Sequence, residues 1–162
     1  MSVLSFVSII PTTLLQPCTY STLDCTLSTN HVAFDRVTFL SPALQTITLT
    51  NTGHVVAHYR FIPKNDDVTF CRPWLLVSPS QGLLVPGESI ELNFTIMVDR
   101  STVTSLNMGH DRIDDIIILH LENGKDMFVS ISGAYQVTCF GVSLTLLARL
   151  SQPIRSIQGV RT

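Results

Sequence analysis

The stretch IIILHLENGKDMFVSISG, residues 116–133, decides the reading of this chain. It reads as two β-strands joined at Asn123-Gly124, the residue pair that best meets the demand of a two-residue type I′ hairpin for positive φ at both turn positions. In the second strand Met127, Val129 and Ile131 alternate with Phe128, Ser130 and Ser132. One face is therefore apolar, and the other is polar except for Phe128. A two-residue turn puts Phe128 opposite Leu119, on a face shared with Ile117 and Leu121. An aromatic among serines on the water side of a strand is a candidate contact for a partner.

The same period-2 pattern recurs outward from the hairpin. Ser89 to Val98 places Ile90, Leu92, Phe94, Ile96 and Val98 on one face, with Glu91 and Asn93 on the other. Gln45 to Thr50 points Ile47 and Leu49 inward, and Val55 to Phe61 aligns Val55, Ala57, Tyr59 and Phe61. Shorter pieces are expected at Val32–Phe34, Val37–Phe39, Trp74–Val77 and Leu83–Val85. Ser41-Pro42, Asn51-Thr52-Gly53, Pro79 to Gly82 and Pro86-Gly87 supply the turns. Arg100 to Asp115 reads as a polar excursion. After Cys139-Phe140-Gly141 the spacing of Leu144, Leu147 and Ala148 turns helical, with Ser143 as N-cap and Pro153 as terminator. About seven short strands with frequent turns predict an all-β, immunoglobulin-like β-sandwich with a short C-terminal helix. Residues 1–26, rich in Ser and Thr with Asp24 their one charge, read as a poorly ordered leader or a weakly docked strand. Residues 27–141 are the domain, and 142–162 a helix and linker.

The chain has 162 residues, enough for one hydrophobic core, and a formal net charge of −2. That balance argues against an electrostatic grip on nucleic acid or anionic membrane. Charged residues make up 14%, low enough to suit a domain that rests against others. The four cysteines (Cys18, Cys25, Cys71, Cys139) form no CxxC pair, and the immunoglobulin Cys…Trp…Cys spacing is missing. Reduced thiols and no metal or cofactor are the expectation. His120 reads as an interior or edge histidine, and Asp66-Asp67 and Asp114-Asp115 as solvated carboxylates. Nucleophile-elbow, phosphate-loop, dinucleotide and zinc-protease motifs are absent, so a binding module is a better reading than an enzyme. Within it, the strand carrying Phe128 reads either as an edge strand able to dock a partner by backbone hydrogen bonds and one aromatic anchor, or as a strand whose second apolar face a helix or the leader covers.

Leu49-Thr-Asn-Thr-Gly53, Phe61-Ile-Pro-Lys64, Cys71-Arg-Pro-Trp74, Leu119-His-Leu-Glu-Asn-Gly-Lys-Asp126, Ile131-Ser-Gly133 and Cys139-Phe-Gly141 occur here in order. In that combination the chain, from about Leu27 to Arg155, resembles the ASH domain of the OCRL-like type II inositol polyphosphate 5-phosphatases. The resemblance implies a sandwich related to major sperm protein and a non-catalytic module. It implies binding of Rab GTPases in the GTP-bound state, at the cytoplasmic face of endosomal and Golgi membranes. It places the Rab contact on Lys125, Asp126, Met127, Phe128, Val129 and Ser130, completed in the family by a helix of the phosphatase domain. Asn51 and Gly124 match positions where change disturbs the family domain; Asn51 with Gly53, and Asn123 with Gly124, read as structural turns. Two alternatives stand beside this. One is a fragment of a phosphatidylinositol 4,5-bisphosphate 5-phosphatase. The other is a secreted immunoglobulin-like domain glycosylated at the Asn93-Phe94-Thr95 sequon.

Overall fold

Alternation of inward apolar and outward polar side chains builds two sheets that close on one core. The computed structural model describes residues 23–65 and 67–154, the side chain of Leu146 excepted. Strands β1 (Cys25–Leu27), β3 (Ala43–Asn51), β7 (Ser89–Ile96) and β5 (Leu75–Ser78) form an antiparallel sheet in the order β1-β3-β7-β5. Strands β2 (His31–Val37), β9 (Met127–Tyr135), β8 (Ile113–Leu121), β4 (Ala57–Ile62) and β6 (Gln81–Leu84) form the second, in the order β2-β9-β8-β4-β6. Its pairs are antiparallel except β2 with β9, which is parallel. This is the sandwich the alternation predicts.

The core lies between the sheets. Leu49 and Ile47 of β3 and Leu92, Phe94 and Ile96 of β7 face Ile117 and Leu119 of β8 and Val129 and Ile131 of β9, all at most 3% exposed. Trp74 and Val98 plug the same layer. Burying a side chain of this size stabilises by about 1.5–3 kcal/mol, so these alternating residues dominate the fold.

The domain reaches further back than Leu27. Cys25 and Thr26, expected in the leader, pair with Asn51 and Thr50. The chain then changes sheets: Ser28 still donates its N–H to Thr48 O, while Asn30 O already accepts from Ser130 N–H. Residues 1–22 of the leader, with Cys18, lie outside the described residues, as do Asp66 and the chain beyond Ile154.

Arg100 to Asp115 is not simply a polar excursion. It holds helix α1 (Val103–Asn107), whose Val103, Leu106 and Asn107 are buried, and β8 begins within it at Ile113. The Asp99 carboxylate opens this segment by accepting from the N–H and hydroxyl groups of Ser101 and Thr102. Those bonds, the side-chain ones first, hold its pKa below the usual carboxylate range. Asn107 closes the segment: its amide donates to Phe140 O and accepts from Tyr135 O–H and Thr138 N–H. Helix α2 (Leu144–Arg149) follows Gly141, as the helical spacing predicts.

The acid pair at 114–115 is a correction. Asp114 is exposed on the outer face, but the Asp115 side chain is only 3% exposed and is ion-paired to Lys64 at 2.5 Å. A strand that starts at Ile113 alternates through this position and turns Asp115 inward, where a partner is required.

Candidate functional site

Hairpin β8–β9 carries the candidate site, and its turn is longer than the sequence suggests. Five residues, Glu122 to Asp126, separate the strands. Gly124 N–H donates to Leu121 O, and Asn123 takes the left-handed conformation with φ 60°. Gly124 does not have positive φ, contrary to the type I′ expectation; it is needed for space. A Cβ there would lie 2.5 Å from Leu23 Cδ2 and 2.9 Å from Leu121 Cβ.

The longer loop shifts the register by one residue. Phe128 stands opposite Ile118, not Leu119, and Met127 takes the place opposite Leu119. A one-residue slip exchanges the faces of a strand. Ile117, Leu119 and Leu121 therefore point into the core, at most 3% exposed, and do not share the face of Phe128. That face holds Phe128, 58% exposed, Ile116, 50% exposed, and the half-buried Ile118, which is flanked across the sheet by Ile62 of β4.

Strand β9 is not an edge strand. Strand β2 pairs alongside it from His31↔Ser130 to Val37↔Tyr135, so it lies inside the five-stranded sheet. The parallel partner comes from about 100 residues away in sequence and leaves no local signal. Its register starts at Ser130, so Met127, Phe128 and Val129 pair with β8 alone. Among the described residues, the backbone of β9 lacks a strand partner on the β2 side over Met127, Phe128 and Val129.

A groove of about 580 Å³ runs beside Phe128, lined also by Ile116, Ile118, Lys64, Arg72, Asp114 and Asp115. The Lys64–Asp115 pair fixes one wall. On the other flank His31 Nδ1 lies 2.8 Å from Ser130 Oγ and its Nε2 3.3 Å from Ser132 Oγ. Ser130 Oγ donates to Asn30 O, so the ring anchors β2 to β9 just past Phe128. His120 sits on the same outer face, 30% exposed, with Nδ1 2.6 Å from Asp126 Oδ1; it ties the loop to β8.

The six expected contact residues divide by direction. Phe128 and Ser130 face the groove side of the sheet. Lys125 is exposed in the loop, and Asp126 is held by His120. Val129 is buried and Met127 packs on the core, so each can offer a partner only backbone. Ile116, Ile118, Lys64 and Arg72 were missed. The apolar run Ile116-Ile117-Ile118 was the one signal for the two isoleucines, since three consecutive isoleucines cannot all face a single core; Lys64 and Arg72 had none.

The turn residues at 51–53 are structural. The buried Asn51 amide donates to Val55 O at 2.8 Å and Leu84 O at 2.9 Å and accepts from Gly53 N–H at 3.0 Å. It joins the end of β3 to β6 and to the loop before β4. Of the thiols, Cys25 is buried, Cys71 half-buried and Cys139 exposed, all free. Burial first, then the nearby carboxylates Asp24 and Asp115, raises the pKa of Cys25 and Cys71 respectively. Among the described residues no cluster of His, Cys, Asp and Glu could hold a metal ion, and no helix is long and apolar enough to cross a membrane.

The model of the family described as inositol polyphosphate 5-phosphatase OCRL-like, ASH domain, matches residues 27–135. The chain is 39% identical over 129 residues to the mouse type II inositol 1,4,5-trisphosphate 5-phosphatase, covering 80% of this chain and 13% of that protein. It is 25% identical over 131 residues to the mouse hydrocephalus-inducing protein, covering 81% of this chain and 2% of that one. Among solved structures, the ASH/PapD-like domain 7 of human CEP192 superposes with a TM-score of 0.50 at 13% identity, over 85% of this chain and 98% of that domain. That last likeness is one of fold. The family match and the phosphatase relative agree on the same segment, and the chain belongs to the OCRL-like ASH domain family of the inositol polyphosphate 5-phosphatases.

Proposed function

We propose that this domain is a non-catalytic docking module that binds Rab GTPases in their GTP-bound state and so recruits its protein to endosomal and Golgi membranes. The observation that carries the reading is Phe128: a phenylalanine 58% exposed, in register with Ile118 and on the same face as the exposed Ile116, on the strand that the family resemblance associates with Rab contact. An exposed aromatic costs solubility without stabilising the fold, and fits an anchor that a partner buries. Phe128, Ile116 and Ile118 cannot alone cover the roughly 800 Å² per partner of a standard interface. The groove is therefore one part of a composite contact. The chain spans 13% of the phosphatase relative, and phosphoinositide hydrolysis is no part of this proposal. Titrating the chain with Rab proteins loaded with a non-hydrolysable GTP analogue or with GDP tests the reading. Binding of the GTP form alone, weakened by Phe128→Val, supports it. Equal binding of both forms, or indifference to the substitution, refutes it.

A further inference from the structure

The five-stranded sheet ends at β6, and that edge is open among the described residues. Phe61 N–H donates to Ser80 O, so in the antiparallel β4–β6 ladder Ser80, Gly82 and Leu84 turn their backbone groups toward β4. The N–H and C=O of Gln81 and Leu83 therefore point away from the sheet. Val85 is already bonded to the turn that follows: its N–H donates to Glu88 Oε2 and its C=O accepts from Glu88 N–H. The run QGLLV, residues 81–85, carries no charge, and its Leu83 and Val85 are exposed. Other sheet edges are guarded. Strand β2 carries Asp35 and Arg36, and Leu75 of β5 has its N–H on Arg72 O and its C=O on the Cys71 thiol. Strand β6 has no such guard.

A cleft of about 590 Å³ lies at this edge, lined by Gln81, Gly82 and Leu83 together with His58, Tyr59, Arg60 and Glu122. Arg60 is exposed, stands in register with Gln81, and has no ion pair among the described residues. His58 stands in register with Leu83. Glu122, whose N–H donates to His58 O, lies one strand further from the edge than either. The edge itself is therefore bordered by unpaired positive charge. Tyr59 adds a polar group without a partner. It is 2% exposed, and its hydroxyl makes no hydrogen bond among the described residues. Its oxygen lies 2.8 Å from where a Cβ on Gly82 would sit, so the phenol stands in the place of the Gly82 side chain.

We propose that β6 takes up an extended segment of a partner protein by antiparallel strand addition, with an acidic side chain over Arg60 and an apolar one over Leu83. The unpaired backbone groups of Gln81 and Leu83 call for a strand, and the free guanidinium calls for a carboxylate. The partner residue opposite Gln81 lies two strand spacings from Arg60, about 10 Å, a span that an arginine and a glutamate side chain bridge together. The residue opposite Leu83 comes two positions earlier on the same face, so the segment reads apolar-x-acidic. The residue between them falls opposite Gly82, on the side of the Tyr59 hydroxyl, where Ser or Thr would give that hydroxyl a partner. Phe128 lies three strand spacings from β6, about 14 Å, so this site is separate from the proposed Rab contact and stands without it.

The test selects random eight-residue peptides displayed on phage against the full chain, then titrates the enriched peptides and maps them by amide shifts in the ¹⁵N-labelled protein. The enriched peptides should carry Asp or Glu two residues after an apolar residue and should shift the amides of Gln81 and Leu83. Arg60→Glu should weaken their binding by about tenfold or more, and a peptide with Lys in place of its acidic residue should recover that loss on the same variant. Leu83→Pro removes an outward N–H and leaves the β4 ladder intact, so it should abolish binding with Tm lowered by no more than about 3 °C. If that variant fails to fold, the Arg60 charge swap decides. Phe128→Ala should leave peptide binding within about twofold. No enriched peptide, peptides indifferent to Arg60→Glu, or shifts centred on Phe128 overturn the proposal. Concentration-dependent shifts of Gln81 and Leu83 without peptide also overturn it, since they make a second copy of the chain the occupant.

Discussion

Replacing Asn51 by Asp changes one NH₂ to an oxygen and should cost much of the domain's stability at neutral pH. The Asn51 amide donates two hydrogen bonds, to Val55 O and Leu84 O, at 2.8 and 2.9 Å, and is fully buried. In Asn51→Asp both donations vanish and a carboxylate oxygen faces two carbonyl oxygens, while the bond from Gly53 N–H can persist. Losing the donation to the buried Leu84 O and to the half-buried Val55 O costs about 1–3 kcal/mol each. Roughly 3–4 kcal/mol lies in the middle of the resulting range, before the desolvation of the charge. At ~4 °C per kcal/mol for a domain of this size, Tm falls by about 12–16 °C at pH 7. The loss should shrink in acid. Burial and the facing carbonyls raise the new carboxyl's pKa in the folded state, so the folded protein binds the extra proton. Stability relative to the parent then rises as pH falls through that raised value, because the neutral acid can donate to one of the two carbonyls. The assay is thermal unfolding of parent and variant from pH 7 to pH 4.5, reported as the difference in Tm. A difference that is small at pH 7, or that does not narrow with acid, would refute the role assigned to Asn51.

Other expectations follow from the same kind of contact. Lys64→Ala leaves the Asp115 carboxylate buried without its partner; because Lys64 itself is 39% exposed, a loss of about 1–3 kcal/mol in denaturant unfolding is expected, well above a typical surface change. Gly124→Ala forces a methyl against Leu121 Cβ and Leu23 Cδ2, and since φ is not positive there, the cost is steric, about 1–3 kcal/mol by urea midpoint. Thiol labelling with iodoacetamide at pH 7.5 should modify the exposed Cys139 well before Cys71 and Cys25. Both of the latter are covered and have raised pKa, so peptide mapping that finds Cys25 first would contradict the burial described.

The fold was legible because its main signal is periodic. Ile47 and Leu49, Ala57, Tyr59 and Phe61, and Leu92, Phe94 and Ile96 alternate in sequence and are buried in the structure. Helix α2 showed itself by a change of period. What stayed hidden was non-local. That β9 is sandwiched between β8 and β2 depends on a parallel pairing across about 100 residues, for which the sequence around Val32 and Phe34 gives no address. Helix α1 is five residues long, too short to display a period. The site was half legible. Phe128 stood out as an aromatic among serines, but its neighbours were misassigned because Asn-Gly suggests a two-residue turn and the loop has five. That single extra register step moved Leu119 into the core and brought Ile118 to the surface. Likewise Asp115 looked solvated until the true start of β8 turned it inward.

The proposed docking at Phe128 is tested most directly by comparing one exposed apolar residue on each sheet. Phe128 is 58% exposed on the five-stranded sheet and Leu76 66% exposed on the four-stranded one, so truncating either should leave stability nearly unchanged. The affinity for GTP-loaded Rab should be measured by titration for the full chain and for Phe128→Ala and Leu76→Ala. Loss of an anchor worth about 2 kcal/mol weakens Kd roughly 30-fold in Phe128→Ala, with less than a twofold change in Leu76→Ala. Equal effects, or a larger loss from Leu76→Ala, would contradict the assignment of the docking surface to the groove at Phe128.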